Sequence, residues 1–228
     1  DGLGVTRIAE LLGREKSQVS RALRGLEAEG MVERDPESLA YRPGWRLYAM
    51  AARTAEARLT HVAAQYLRRL VASLNETAHL CVLRGSGVLT LLSVAPSHAF
   101  RALGWEGVTV PAPLTSAGRV LVSDWAPDTL RAWASRWLQE TNRPAAMLDH
   151  LLAQVAAIRS RGFAAVDEEF EVGLVGVSAP VRDFRGLIVA AINVSAPKAR
   201  LGPHLDEAGR RTLAIARELS TALGYSPR

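Results

Sequence analysis

The sequence has few of the residues that build disulfides and metal centres. Cys81 is the single cysteine among 228 residues, which excludes an intramolecular disulfide and any zinc site built on several cysteines. A lone cysteine also favours a reducing compartment, so we expect a cytoplasmic location. We expect no metal and no cofactor, because the histidines away from Cys81 are scattered and no pair has metal-ligand spacing. These histidines are His61, His98, His150 and His204.

Long apolar runs and a local excess of charge are also missing. No apolar stretch reaches the roughly 18–20 residues that a membrane-spanning helix needs, so we expect no membrane partner. Lysine and arginine total 28 against 23 acidic residues, a net charge of +5, yet residues 1–46 contain eight of each sign. Net charge therefore does not locate a nucleic-acid surface, and only the local placement of basic residues can. Apolar residues make up 48% of the chain, which predicts one large or two small folded domains.

Two short helices are predicted near the start of the chain. Thr6 is the expected N-cap of the first, which runs through Leu12 and ends at Gly13, and Ser17 is the expected N-cap of the second, which ends at Gly30. Two helices joined by a turn of a few residues form a helix-turn-helix. The second helix has apolar residues at the i, i+3, i+4, i+7 spacing of a buried stripe. These residues are Val19, Ala22, Leu23 and Leu26.

The outward face of the second helix is rich in residues that contact DNA. Arginine and glutamine on a recognition helix hydrogen-bond base edges in the major groove, and serine and lysine contact phosphates. Residues 31–42 are predicted as a hairpin wing with a turn at 35–38. The predicted DNA-binding residues are Lys16, Ser17, Gln18, Ser20, Arg21 and Arg24 on the helix, and Arg34 and Arg42 on the wing. The alternative is an ordinary surface helix with solvated charges, but the glycine break and the hairpin favour DNA binding.

The remainder of the chain is predicted as a second domain of α+β class. Strands are predicted at 78–83, 88–94, 98–103, 163–166, 175–181 and 187–195. Helices are predicted at 59–74, 116–125, 127–138, 146–161 and 203–223. A sheet of this size flanked by helices suits an α+β fold. Three parts are predicted: a winged helix-turn-helix domain at 1–47, a linker helix at 48–58, and the second domain at 59–228. We expect the first helix of the winged domain to precede residue 1.

No catalytic group is recognisable in the sequence. Cys81 lies in an apolar strand pattern two residues from His79, and a buried structural cysteine is a better interpretation than a nucleophile. The three acids at 167–169 have no histidine nearby in sequence, so solvated acids are favoured over acid–base catalysis. Trp105 lies in a glycine-rich loop, where it is a candidate lid over an aromatic ligand, with ordinary packing as the equal alternative.

Several motifs together resemble the IclR family of bacterial transcription regulators. Residues 4–13 and 16–23 look like the family's DNA-binding helices, and 113–121 look like its effector loop and helix. The most specific match is DEEFEVGL at 167–174, followed by APVRD at 179–183 and SAP at 195–197. The resemblance implies a winged helix-turn-helix domain, a linker helix and a GAF-like effector-binding domain. It also implies homodimers, often paired into homotetramers, that bind palindromic operators in double-stranded DNA.

The resemblance also implies an effector pocket for a small molecule, commonly a carboxylate or an aromatic acid. Backbone N–H groups at the start of a helix near Ser116 suit a carboxylate. Where glyoxylate- and pyruvate-sensing members tend to have aspartate, cysteine and serine, this chain has Val166, Gly176 and Asn193, so we expect a larger or more apolar effector. The residues implied around the pocket are Thr115, Ser116, Ala117, Gly118, Leu174, Gly176, Asn193 and Ser195, to which Trp105 is added from its loop position.

The expected function is therefore sequence-specific DNA binding under the control of an effector, and not catalysis. Two alternatives remain at this point. One is a sensor or assembly module that acts through protein partners, against which the N-terminal segment argues. The other is an enzyme for small acids, which would need a nucleophile–base pair or a metal cluster.

Overall fold

The structure is a computed structural model that describes residues 2–97 and 105–226. The chain forms two units, which divide between Leu59 and Thr60. The strand predicted at 98–103 and the loop residues before Trp105 lie outside the described residues.

The first unit begins with two helices, as predicted. Helix α1 covers Val5–Leu12 and helix α2 covers Lys16–Ala28. α1 ends where Gly13 adopts the left-handed conformation, with a φ of 59° that glycine takes without strain. The predicted capping roles of Thr6 and Ser17 are both wrong, because the extended residues before the helices are Gly4 and Glu15. Thr6 and Ser17 lie inside α1 and α2.

The small core of this unit joins both helices to a hairpin. Its buried residues are Ala9, Val19, Leu23 and Tyr41. The predicted apolar stripe of α2 is half correct, since Ala22 is exposed and Leu26 is 44% exposed. A helix buries only the side that its neighbours cover, and periodicity alone does not show how wide that cover is.

The hairpin after α2 has the form of a wing. Strand β1, Val32–Arg34, pairs antiparallel with strand β2, Tyr41–Pro43. The turn between them is held by the Asp35 carboxylate, which accepts hydrogen bonds of 2.8 Å from both the backbone N–H and the hydroxyl of Ser38. These hydrogen bonds keep the pKa of Asp35 below its ordinary value of 3.8. The strands are shorter than predicted because residues 39 and 40 belong to the turn.

Two helices connect the wing to the second unit. Helix α3 covers Trp45–Ala51 and helix α4 covers Ala55–Leu74. The Thr54 hydroxyl accepts the backbone N–H of Ala57 at 3.2 Å and so caps α4. The predicted linker helix at 48–58 therefore corresponds to the end of α3, a break, and the first turn of α4.

The second unit is built on a six-stranded antiparallel sheet in the order β5-β4-β3-β8-β7-β6. This sheet with its surrounding helices confirms the α+β prediction. Side chains alternate along β8, so Asn193 and Ser195 share one face, while Ile192 and Val194 share the other and are buried. The strands are β3 Thr77–Arg84, β4 Gly87–Val94, β5 Thr109–Pro111, β6 Ala164–Asp167, β7 Leu174–Arg182 and β8 Ile188–Pro197.

The helices of this unit include one short helix that contacts the middle of the sheet. Helix α5 follows a single 3-10 turn at Ala112–Leu114 and packs on β7 and β8, on which the last helix, α9, also packs. α5 is shorter than predicted, and the predicted final helix corresponds to α9, which begins after a second 3-10 turn at Gly202–His204. The helices are α5 Ser116–Leu121, α6 Pro127–Glu140, α7 Met147–Arg161, α8 Lys198–Leu201 and α9 Leu205–Ala222.

Candidate functional site

The residues of α2 predicted to bind DNA lie on its solvent side. Ser17, Ser20, Arg21 and Arg24 fall within an arc of about 100° at about 3.6 residues per turn, directed away from the buried Val19. All four are exposed except Ser20, which is half-buried. The two remaining predicted residues of the helix, Lys16 and Gln18, are also exposed and lie at the edges of this arc. We call the six together the α2 face.

The two wing arginines differ in their contacts. The Arg34 guanidinium lies over the ring of Tyr41, 5.5 Å from its centroid, and Arg34 Nε donates to the Leu39 carbonyl at 3.4 Å. Arg42 forms an ion pair of 3.5 Å with Glu33 and keeps 59% of its side chain exposed. Arg34 is therefore held by contacts within the wing, whereas the engagement of Arg42 is one exposed ion pair.

A cavity of about 80 Å³ opens in the second unit beside the start of α5. This volume holds several water molecules or a small organic compound. No arginine, lysine, aspartate or glutamate lines it among the residues that the structure describes. Its apolar wall consists of Val88, Trp105, Val110, Leu114, Ala117, Val166, Phe170, Leu174 and Val175. Its remaining lining residues are His79, Cys81, Thr90, Thr115, Ser116, Gly176, Asn193 and Ser195.

The structure brings together all but one of the residues predicted around the pocket. Gly118 is the exception, because it packs against the 3-10 turn and a Cβ there would lie 2.0 Å from the Ala112 carbonyl oxygen. Gly176 does line the cavity, and a Cβ there would lie 3.3 Å from Ser116 Oγ. The missing side chain at Gly176 thus leaves room beside Ser116. The predicted residues on the cavity wall are Trp105, Thr115, Ser116, Ala117, Leu174, Gly176, Asn193 and Ser195.

One polar cluster lies where α5 begins. The Ser116 and Ser178 hydroxyls are 2.8 Å apart, and Asn193 Nδ2 donates to both, at 3.2 and 3.0 Å. The Thr115 hydroxyl caps α5 by accepting the N–H of Gly118 at 3.1 Å. The N–H groups of the first helical residues have no partner within a helix, and Thr115 provides the partner for that of Gly118.

A second polar group includes His79, which sequence analysis did not place in the pocket. Its Nδ1 is 2.9 Å from Ser93 Oγ and its Nε2 is 3.1 Å from Ser195 Oγ. Burial lowers the pKa of His79 to about 4, so the ring is neutral at pH 7. His79 reaches the cavity because β3 pairs with β8, with His79 opposite Asn193.

Cys81 also lines the cavity but lacks the features of a nucleophile. Burial raises the pKa of its thiol to about 12, so the thiolate is not populated near pH 7. Its hydrogen-bond partner is Thr90, with the sulfur 4.0 Å from Oγ1, and not His79. The interpretation as a buried structural cysteine agrees with this geometry.

The segment at 168–173, between β6 and β7, is held on both sides by ion pairs. Glu169 is bonded by both terminal nitrogens of Arg119, a side chain on α5 that is only 2% exposed. Burial raises the pKa of Glu169, but the hydrogen bonds and charge of Arg119 outweigh this effect and keep it below its ordinary value of 4.5. Lys198 binds Glu168 at 2.6 Å and Asp167 at 3.0 Å. The three acids at 167–169 are therefore ion-paired structural residues. The expectation that they are solvated acids is wrong.

This segment carries Phe170 to the cavity. The rings of Phe170 and Trp105 meet edge to face, with centroids 6.3 Å apart. Trp105 is therefore at the cavity wall, as its loop position suggested, and it also packs against an aromatic neighbour.

The described residues, 2–97 and 105–226, contain no group of three or more histidine, cysteine, aspartate or glutamate side chains that could hold a metal ion. Within the same residues, no helix is long and apolar enough to span a membrane.

Comparisons with known proteins agree for both units. The family described as "IclR helix-turn-helix domain" matches residues 1–36, and "Bacterial transcriptional regulator IclR C-terminal" matches residues 51–221. The HTH-type transcriptional regulator BhcR of Paracoccus denitrificans is 30% identical over 231 residues, covering 100% of this chain and 82% of the relative. The glycerol operon regulatory protein of Streptomyces griseus is 32% identical over 206 residues, covering 88% of this chain and 80% of the relative.

A solved structure has the same fold. It is an IclR homolog from Microbacterium hydrocarbonoxydans in complex with 4-hydroxybenzoate, with a TM-score of 0.84 and 21% identity, covering 97% of this chain and 91% of that one. The resemblance found in the sequence motifs is thus confirmed across both units. The chain belongs to the IclR family of bacterial transcriptional regulators, DNA-binding proteins that respond to small-molecule effectors.

Proposed function

We propose that this regulator binds a palindromic operator as a homodimer or a pair of homodimers, in the cytoplasm of a bacterium. The α2 face enters the major groove, where Arg21 and Arg24 reach base edges and Ser17 and Lys16 contact phosphates. The wing arginine Arg42 contacts the backbone beside the groove. The observation that supports this arrangement is the exposed arc of two arginines and two serines on one side of a short helix.

We further propose that the cavity beside α5 is the effector site. The effector's acidic group lies beside Ser116 and Asn193, which line the cavity where α5 begins and would exchange part of their mutual hydrogen bonding for bonds to the effector. The rings of Trp105 and Phe170 cover the effector's apolar body. An aromatic acid fits this combination of donors and apolar walls, and 4-hydroxybenzoate bound to a structural neighbour supports that class.

Effector binding changes operator affinity if it favours one arrangement of the protein over another. Coupling free energies between two ligands are typically about 1–3 kcal/mol, which is about 5- to 150-fold in affinity. α4 is the covalent connection, since the division between the two units falls within it. We therefore assign the transmission to residues 48–58.

Fluorescence anisotropy of the full chain with labelled DNA tests the proposal. DNA from upstream of the protein's own gene is compared with shuffled DNA of equal length at two salt concentrations. We expect tighter binding to the native fragment and a steep loss of affinity at higher salt, because each phosphate contact releases counterions. Equal binding to native and shuffled DNA at both salt concentrations would contradict specific recognition of this operator. Addition of 4-hydroxybenzoate then tests the effector site through a shift of the binding curve.

A further inference from the structure

The two polar groups of the cavity differ in their chemistry. Asn193 and Ser195 are two residues apart on the same face of β8, which places them about 7 Å apart along the strand. Asn193 belongs to the cluster at α5, where its Nδ2 donates to the hydroxyls of Ser116 and Ser178. Ser195 instead binds His79. An effector that reaches both groups is therefore recognised differently at its two ends.

Among the residues that the structure describes, none at the His79 end of the cavity carries a positive charge at pH 7. No lysine or arginine lines the cavity in the described part of the chain. His79 is 4% exposed, and its lowered pKa of about 4 keeps the ring neutral at pH 7. A second carboxylate here, in addition to the acidic group at the α5 end, would place two anions in one cavity whose described lining carries no counter-charge, which is more unfavourable than one anion.

The hydrogen-bond chain through His79 suits an uncharged hydroxyl group. A neutral imidazole has one N–H and one lone pair, and here Ser93 and Ser195 occupy the two ring nitrogens. In one tautomer Nε2 donates to Ser195, whose hydroxyl then donates to the cavity. In the other tautomer Ser195 donates to Nε2, and its oxygen accepts from the cavity. Ser195 can therefore pair with a hydroxyl in either direction, whereas a carboxylate can only accept.

Resting on the proposed function, we propose that His79 determines effector specificity: through Ser195 it selects an aromatic effector with an uncharged hydroxyl group and disfavours an anionic group at the same position. The apolar and aromatic wall between the two polar groups accommodates the ring. His79 acts as a positioning residue, because it orients the Ser195 hydroxyl that meets the effector.

Isothermal titration calorimetry of the full chain with three related compounds tests this proposal. The probes are 4-hydroxybenzoate, benzoate and benzene-1,4-dicarboxylate, which differ only at the para position. We expect 4-hydroxybenzoate to bind at least about tenfold more tightly than benzoate, and the dicarboxylate more weakly than benzoate. Equal affinity for the first two, or a preference for the dicarboxylate, would overturn the inference.

Variants separate a specific role of His79 from a structural one. Ser195→Ala removes the hydroxyl that meets the effector, and we expect it to abolish the preference for 4-hydroxybenzoate while benzoate binding stays within about twofold. His79→Leu should lose the same preference, whereas His79→Gln, which keeps a donor and an acceptor, should restore part of it. Thr90→Val is the matched control, since it removes a cavity hydroxyl outside the chain through His79 and should preserve the preference.

The outcomes distinguish this inference from the proposed function. If none of the three probes binds while operator DNA is still recognised, the inference fails and the regulator proposal stands. If operator recognition fails while the probes bind in the expected order, the proposed operator binding fails and the inference about His79 stands. If His79→Leu does not fold, Ser195→Ala alone tests the inference. A preference for 4-hydroxybenzoate that persists in Ser195→Ala would refute the role of the His79–Ser195 pair.

Discussion

Replacement of Glu169 by glutamine tests the ion pair that joins α5 to the segment over the cavity. Arg119 is 2% exposed, and it donates to Glu169 through both terminal nitrogens and to the Pro113 carbonyl at 3.0 Å. Glutamine has nearly the same shape but no charge, and its amide can accept only one of the two hydrogen bonds. The variant therefore leaves a buried guanidinium without its counter-charge.

The expected loss of stability follows from the burial of the two partners. Removal of one partner of a fully buried pair costs about 3–5 kcal/mol. Glu169 is 32% exposed, so water can reach part of the guanidinium, and the hydrogen bond to Pro113 remains. We therefore expect Glu169→Gln to lower the free energy of unfolding by about 2–3 kcal/mol. With a urea slope of about 2 kcal/mol/M, the unfolding midpoint should fall by about 1–1.5 M.

Tryptophan fluorescence in urea measures this change in the second unit, which contains four of the five tryptophans. The matched control is Glu207→Gln, whose partner Arg211 lies on the same exposed face of α9, with side chains 51% and 47% exposed. Exposed pairs contribute at most about 1 kcal/mol, so the control midpoint should shift by less than about 0.5 M.

The dependence on pH has a defined sign. The folded-state pKa of Glu169 is below its ordinary value of 4.5, so the ion pair contributes fully above that pH, and its contribution is lost as the pH falls through the folded-state pKa. The stability difference between the wild type and Glu169→Gln should therefore be present at neutral pH and shrink on acidification below 4.5. Equal midpoint shifts in Glu169→Gln and Glu207→Gln, or a difference that grows on acidification, would refute the reasoning.

Three further predictions concern DNA binding, packing and the thiol. Arg21→Ala should weaken operator binding by about 1–3 kcal/mol and relax the sequence preference of the protein. Arg42→Ala should weaken binding to native and shuffled DNA alike and reduce the salt slope by about 1. Both are measured by anisotropy, and unchanged specificity in Arg21→Ala would mean that α2 is not the recognition helix. Gly118→Ala should lower the free energy of unfolding by about 3 kcal/mol or more, since its Cβ would overlap a backbone carbonyl, while Gly25→Ala, with open space around its Cβ, should be stabilising by about 0.5–1 kcal/mol. Cys81 should react with a thiol reagent at least about 100-fold more slowly in the native protein than in urea, because it is buried and the pKa of its thiol is raised to about 12; comparable rates would show that the cavity opens to the reagent.

Local features of this protein were predictable from the sequence because they depend on neighbouring residues. Gly13 ends α1 since only a few residues tolerate the left-handed conformation there. The strands on either side of Gly85 were also recognisable, because β-branched residues bounded by a glycine turn favour a hairpin. Motifs such as DEEFEVGL indicated the family, and with it the position of the pocket around Ser116, Asn193 and Ser195.

Features that depend on distant residues needed the tertiary structure. Arg119 and Glu169 are 50 residues apart, and His79 and Ser195 are 116 apart, so no local pattern predicts that they pair. His79 reaches the cavity only because β3 pairs with β8 in a particular register. Gly118 looked like a pocket residue in the motif, but its backbone packs on the 3-10 turn.

The sequence by itself determined where the longer helices and strands lie, which face of α2 is basic, and which family the chain resembles, but not the short strand β5 or the short helix α8. The tertiary structure decided which residues meet in the cavity, which acids are ion-paired, and which side of each helix is covered. The physical reason is that periodicity and turn residues act through near neighbours along the chain. A cavity and a buried ion pair arise instead from strand register and packing between segments far apart in sequence.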